Sequence, residues 1–138
     1  FEAGFADARW AAGVAMAPGD FHRFGDGVAA VGAPVLVAGG GLDPGGDGSD
    51  YWEVLSAGAE PAGDRWLRID AAGHQSFTDF SGLLERFDGL IPAADGFGIV
   101  DAYVLGAVQA AGGDASVVPL LSAFPGPISG VSLSGAAP

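Results

Sequence analysis

The chain has 138 residues, 25 of them Gly and none Cys, with 17 acidic against 5 basic side chains and a formal net charge of −12. Apolar residues make up 49% and charged residues only 16%, so this is a globular chain long enough to bury the core of one domain, not a disordered acidic tail. Lack of Cys excludes a disulfide framework, a CxxC redox pair and a thiolate metal site, and an acidic chain with no basic patch excludes nucleic acid as a partner.

All five basic residues are Arg (Arg9, Arg23, Arg65, Arg68, Arg86), and thirteen of the acids are Asp. This composition leaves the compartment open and is compatible with an exported protein. The first residue is Phe1; no charged-then-apolar leader follows it, and no apolar run reaches membrane-spanning length. Phe1 is therefore not expected to be the native start: the chain is read as processed, tag-cleaved or cut from something longer.

Two short apolar runs read as buried strands: 13–17, ended by Pro18-Gly19, and 34–38, ended by three glycines. Continuous hydrophobicity without alternation suits a parallel sheet covered on both faces. Residues 66–70 alternate and read as a strand nearer a sheet edge. Between these strands, Tyr51, Trp52, Val54 and Leu55 form a short helical face, with Ser49 or Asp50 as N-cap and Gly58 as the stop. After the third strand, Phe77, Phe80, Leu83, Leu84 and Phe87 recur at three to four residues and predict a second helix. Ile99, Val100, Tyr103, Val104, Ala107, Val108 and Ala111 predict a third, ended by Gly112-Gly113. Strand and helix in alternation define an α/β fold with about three mostly parallel strands and flanking helices. Residues 1–121 are read as this domain, and 122–138 as an irregular Gly/Pro/Ser-rich tail with one short edge strand.

Only two His exist. His74 follows the third strand directly, on a loop at its carboxyl end, where open α/β sheets bind ligands. Asp43 has the same placement after the second strand, in Gly39-Gly40-Gly41-Leu42-Asp43-Pro44, where glycines let the chain turn sharply. Each has an ordinary structural reading: a hydrogen-bonded turn His, and an Asx-turn in Asp-Pro-Gly-Gly. Taken together, an Asp after one strand and a His after the next are two members of an acid–base–nucleophile triad. The carboxylate would accept the His Nδ1–H and fix its tautomer, leaving Nε2 to take a proton from a nucleophile. His22 follows the first strand and is a candidate for the substrate pocket.

Other constellations are weaker. Gly45-Gly46-Asp47-Gly48-Ser49-Asp50 matches one calcium-binding repeat of a type that works in tandem arrays, and the neighbouring acids lack EF-hand spacing. Two distant His without Cys do not make a zinc site, and Gly39-Gly40-Gly41 lacks the spacing and the Lys of a phosphate cradle. No cofactor and no metal are expected.

Val35-Leu36-Val37-Ala38-Gly39-Gly40-Gly41-Leu42-Asp43-Pro44 resembles the acid-bearing strand and turn of the α/β-hydrolases, and Ala72-Gly73-His74-Gln75-Ser76-Phe77-Thr78-Asp79 resembles their histidine loop. Within that superfamily the chain is most similar to the branch of dienelactone hydrolase and platelet-activating-factor acetylhydrolase. Ala8 to Pro18 is similar to the strand after the nucleophile's helix, and Ile99 to Asp114 to the closing helix; the resemblance covers roughly residues 7 to 121. It implies Asp43 as triad acid and His74 as triad base. The chain departs from the pattern in having no Gly-x-Ser-x-Gly elbow. The nearest text, Gly130-Val131-Ser132-Leu133-Ser134, lacks the final Gly and follows His74 instead of preceding Asp43.

The expectation is thus the carboxyl-terminal portion of an α/β-hydrolase, an incomplete domain from a serine hydrolase of carboxylic esters. Nucleophile and oxyanion donors would lie upstream, so the chain alone should be inactive and should expose a sheet edge that the amino-terminal half would cover. Its partners would be a small-molecule ester and that missing half. The alternative is a non-catalytic domain of the same scaffold serving binding or assembly; a third reading keeps the fold but cleaves an amide, lactone or carbon–halogen bond.

Overall fold

A computed structural model describes residues 9–20, 23, 26–58, 63–81, 83–84, 88–122 and 128–135. Four strands form one open sheet in chain order: β1 (Gly13–Met16), β2 (Val35–Gly40), β3 (Arg65–Ile69) and β4 (Val131–Ser134). The first three run parallel, and β4 returns antiparallel to β3. The fold is α/β, with a mostly parallel sheet and helices on both faces.

All six residues of β2 are buried, as its unbroken apolar text requires. Leu36 and Ala38 join Leu67, Ile69, Val131 and Leu133 in a core covered by α2 (Ala93–Ala111) and α3 (Val118–Ser122). Val35 and Val37 point the other way, against Val28 and Leu55, the latter from α1 (Ser49–Ser56). The short strand expected after residue 122 is β4. Its alternating Val131 and Leu133 are core residues, so this stretch completes the main hydrophobic layer.

Two helices differ from expectation. Helix α1 begins at Ser49 behind a left-handed Gly48, and the Asp47 carboxylate accepts the Ser49 N–H. Helix α2 starts at Ala93, six residues before the apolar stripe, behind Pro92. Its first turns contain Gly96, which is buried beside Ile91.

The helix expected over Phe77 to Phe87 does not form among the described residues. A 3₁₀ turn spans His74–Phe77, and Thr78 is extended. The Thr78 hydroxyl bonds the Gln75 carbonyl and accepts the Phe80 N–H, and such side-chain bonds compete with a helical ladder. Phe80, Leu83 and Leu84 are exposed, and Phe87 lies outside the described residues.

The outer side of β1 pairs with no strand among the described residues, and Trp10 and Met16 are exposed beside it. No described helix is long and apolar enough to cross a membrane.

Tyr103 of α2 is fully buried, and its hydroxyl has no partner among the described residues. Burial pushes its ionisation up from the ordinary value, so the phenol stays neutral. Tyr103→Phe removes the orphaned hydroxyl and keeps the ring, and is expected to raise stability by roughly 1 kcal/mol. Urea unfolding checks this; a lower midpoint in the variant would contradict it.

Candidate active site

The carboxyl ends of β2 and β3 are neighbours, and the loops leaving them meet. Gly41 N–H bonds the Ile69 carbonyl and Leu42 N–H bonds the Ala72 carbonyl, both at 2.9 Å. The acid-bearing loop is thus stitched to the base-bearing loop by backbone bonds on both sides of Gly41-Leu42.

The three glycines act differently from the sharp turn expected of them. None has a positive φ. What each lacks is room for a Cβ: at Gly39 that atom would lie 1.8 Å from the Asp47 carbonyl oxygen, at Gly40 2.3 Å from that of Ala72, and at Gly41 2.5 Å from that of Asp70. The loops on either side close over the end of β2 because nothing projects from it.

Asp43 and His74 come together. His74 Nδ1 lies 2.9 Å from Asp43 Oδ2. The other carboxylate oxygen, Oδ1, accepts the Gly45 N–H at 2.7 Å. The Asx-turn and the His contact, which looked like rival readings, are the two halves of one carboxylate's bonding. The Asp43 side chain is 2% exposed while that of His74 is 46% exposed. A buried acid therefore holds one ring nitrogen, and the ring remains reachable from solvent. A carboxylate accepting Nδ1–H fixes the tautomer in which Nε2 carries the free lone pair, the arrangement of a general base.

The His74 loop is braced from within. Ser76 Oγ accepts the Gly73 N–H at 3.0 Å, and Ser76 is buried. Its hydroxyl is thereby tied into the turn. Ile91 N–H bonds the Ala71 carbonyl, which brings the chain back to this loop just before α2.

Three residues to which the sequence gives no role in the pair, Arg68, Trp66 and Asp47, surround the two loops. Arg68, on β3, donates from Nε to Asp47 Oδ2 at 2.9 Å and from Nη1 to Asp70 Oδ1. Trp66, two residues earlier on the same face, donates its indole N–H to the Asp47 carbonyl at 3.0 Å. Burial raises the Asp47 carboxyl, but hydrogen bonds from Ser49 and then Arg68 outweigh it and hold the group below its usual range. The signal was present in the alternation of β3, which places Trp66 and Arg68 on one face, but no spacing rule joins them to a turn some twenty residues upstream.

His22 lies outside the described residues. Ser132, in the text nearest to a nucleophile elbow, sits within β4 opposite Arg68 in the ladder. A cavity of about 240 Å³ lies at the opposite end of the strands, lined by Ala12, Pro34, Gly63, Arg65 and the last turns of α2. These residues precede or begin their strands, whereas Asp43 and His74 follow theirs, so this cavity is remote from the pair. Among the described residues no cluster of His, Asp or Glu has the makings of a metal site. No protein-family model matches the chain, and comparison with curated proteins and with solved structures gives no match.

Proposed function

We propose that the chain is the carboxyl-terminal part of a serine hydrolase of α/β-hydrolase type, cleaving carboxylic esters, and that Asp43 and His74 are its triad acid and base. The observation that carries the reading is the 2.9 Å contact between Asp43 Oδ2 and His74 Nδ1 at the ends of adjacent parallel strands, with the acid buried and the imidazole half exposed. The side of β1 that pairs with no described strand supports it, because a further parallel strand there would lie on the same sheet as the pair.

In this mechanism a seryl hydroxyl upstream attacks the ester carbonyl as His74 Nε2 takes its proton. His74 then returns the proton to the departing alkoxide, and water cleaves the acyl-enzyme by the same route in reverse. Asp43 remains ionised and stabilises the imidazolium.

On this reading the test is made on a longer chain that includes the proposed upstream nucleophile. It should hydrolyse p-nitrophenyl esters and be labelled by a fluorophosphonate, while residues 1–138 alone do neither. His74→Ala should remove about 10⁴-fold or more of the longer chain's rate. An unchanged rate in that variant would overturn the reading, as would a longer chain that neither labels nor hydrolyses; the latter result would favour a binding or assembly role for the same scaffold.

A further inference from the structure

We infer that Arg68 is a positioning residue: one guanidinium clamps the acid-bearing loop to the base-bearing loop and thereby sets the Asp43–His74 contact. Nε holds Asp47, which ends the loop carrying Asp43, and Nη1 holds Asp70, which begins the loop carrying His74. The guanidinium lies against the backbone of Gly41, where a Cβ would sit 2.8 Å from Nη2. The clamp is therefore built into the gap left by the third glycine. Asp47 is fixed further by the Trp66 indole on its carbonyl and by the Ser49 N–H on Oδ1. Asp43 and Asp47 bracket one compact turn, closed by the Asp43 carboxylate on Gly45 and by the Gly46 N–H on the Asp43 carbonyl. A displacement of Asp47 is thus passed to Asp43 through the three residues between them with little slack.

An arginine suits this place because its fork presents donors in a fixed plane to two separate carboxylates, whereas a lysine ammonium is a single point charge on a flexible stem. Asp70 is exposed at 56%, but the Arg68–Asp47 pair is only partly exposed, at 33% and 27%. It is screened less than a surface pair, yet it is open enough for its loss to loosen two loops without emptying the core.

This inference deepens the triad reading but is tested without activity. In the ¹⁵N-labelled chain the side-chain nitrogens of His74 report its tautomer, and exchange of Nδ1–H with water reports how tightly Asp43 holds it. His22, the only other histidine, serves as the reference. Arg68→Gln should make Nδ1–H exchange about tenfold faster, as expected when two partly screened ion pairs are lost and a local opening becomes easier. Arg68→Lys should fall between the two. Asp47→Asn and Asp70→Asn should each give part of the effect, and Asp47→Asn should add nothing once Arg68 is Gln.

Amide exchange separates positioning from a general structural role. The clamp predicts faster exchange in 41–48 and 70–76 with β4 unchanged; uniform loosening of the sheet would overturn it. Should Arg68→Gln fail to fold, the Asp47→Asn and Asp70→Asn chains decide alone, and wild-type Nδ1–H exchange in both would overturn the clamp. Asp43→Asn distinguishes the two levels. If it alters the His74 tautomer while Arg68→Gln leaves Nδ1–H exchange at the wild-type rate, the clamp is wrong and the pair stands. If it alters nothing, the pair itself is wrong.

Discussion

On the proposed triad reading, Asp43→Asn in a chain that also carries the nucleophile is expected to lower kcat for ester hydrolysis about 10⁴-fold, the loss typical of a base held in the wrong tautomer. The fold should survive, because Asn has the same shape and its carbonyl oxygen can still accept the Gly45 N–H that Oδ1 accepts now. The change falls on the other arm. Where Oδ2 accepts from His74 Nδ1, the amide NH₂ donates to it. Nδ1 must then carry the lone pair and Nε2 the proton, so the ring cannot take a proton from a nucleophile. Circular dichroism and a urea melt should show a folded protein beside a collapsed rate. The pH profile separates this from a binding defect: partial rescue at high pH, where the nucleophile ionises without a base, fits the tautomer account. A variant that keeps wild-type kcat would remove Asp43 from the mechanism.

Gly39→Ala is the second large effect, and it acts on structure. Its Cβ would lie 1.8 Å from the Asp47 carbonyl oxygen and 2.3 Å from the carbonyl carbon, both backbone atoms that no rotamer change can move aside. The loop has to lift off β2, breaking the Trp66–Asp47 bond and the Arg68–Asp47 pair as it does so. Overpacking of this kind costs about 1–3 kcal/mol and occasionally more, and rigid backbone on the far side places Gly39→Ala at or above the upper end. Gly98→Ala is the control. Gly98 lies within α2, has an ordinary φ, and has nothing within 4 Å of its absent Cβ. That substitution should stabilise by about 0.5–1 kcal/mol, since alanine restricts the unfolded chain and suits a helix. Urea midpoints moving in opposite directions for the two Gly→Ala changes would bear out the account; equal shifts would contradict it.

The parallel core was legible because β2 must be apolar on both faces, and a run such as Val35-Leu36-Val37-Ala38 has few other homes. Asp43 and His74 were legible for a related reason: both directly follow strand text, and consecutive parallel strands tend to be neighbours. The segment after His74 misled because three-to-four spacing of Phe and Leu is a helical signal only if the backbone is free to coil, and Thr78 diverts it. The start of α2 was hidden because Ala93 to Gly98 carry a single large apolar residue and so lie ahead of the apolar stripe. Strand β4 was placed only loosely, because two core residues among Ser and Gly give a weak alternation. Arg68 was invisible as a clamp, since an ion pair linking β3 to a turn twenty residues earlier leaves no local pattern.

The ladder between β2 and β3 pairs Gly40 with Ile69, and both loops are counted from that point. Sliding one strand by a single residue would turn Leu67 and Ile69 out of the core. Sliding it by two would move His74 about 6.6 Å along the sheet, well beyond reach of Asp43. No gentle intermediate exists. The Asp43–His74 separation is therefore quantised by the pleat: drift in surface residues outside the Arg68 network leaves it untouched, while insertion or deletion in either loop shifts one residue away from the other. Descendants of this sequence should vary at exposed positions outside Gly39 to Gly41 and the Arg68 network yet keep the two loop lengths fixed.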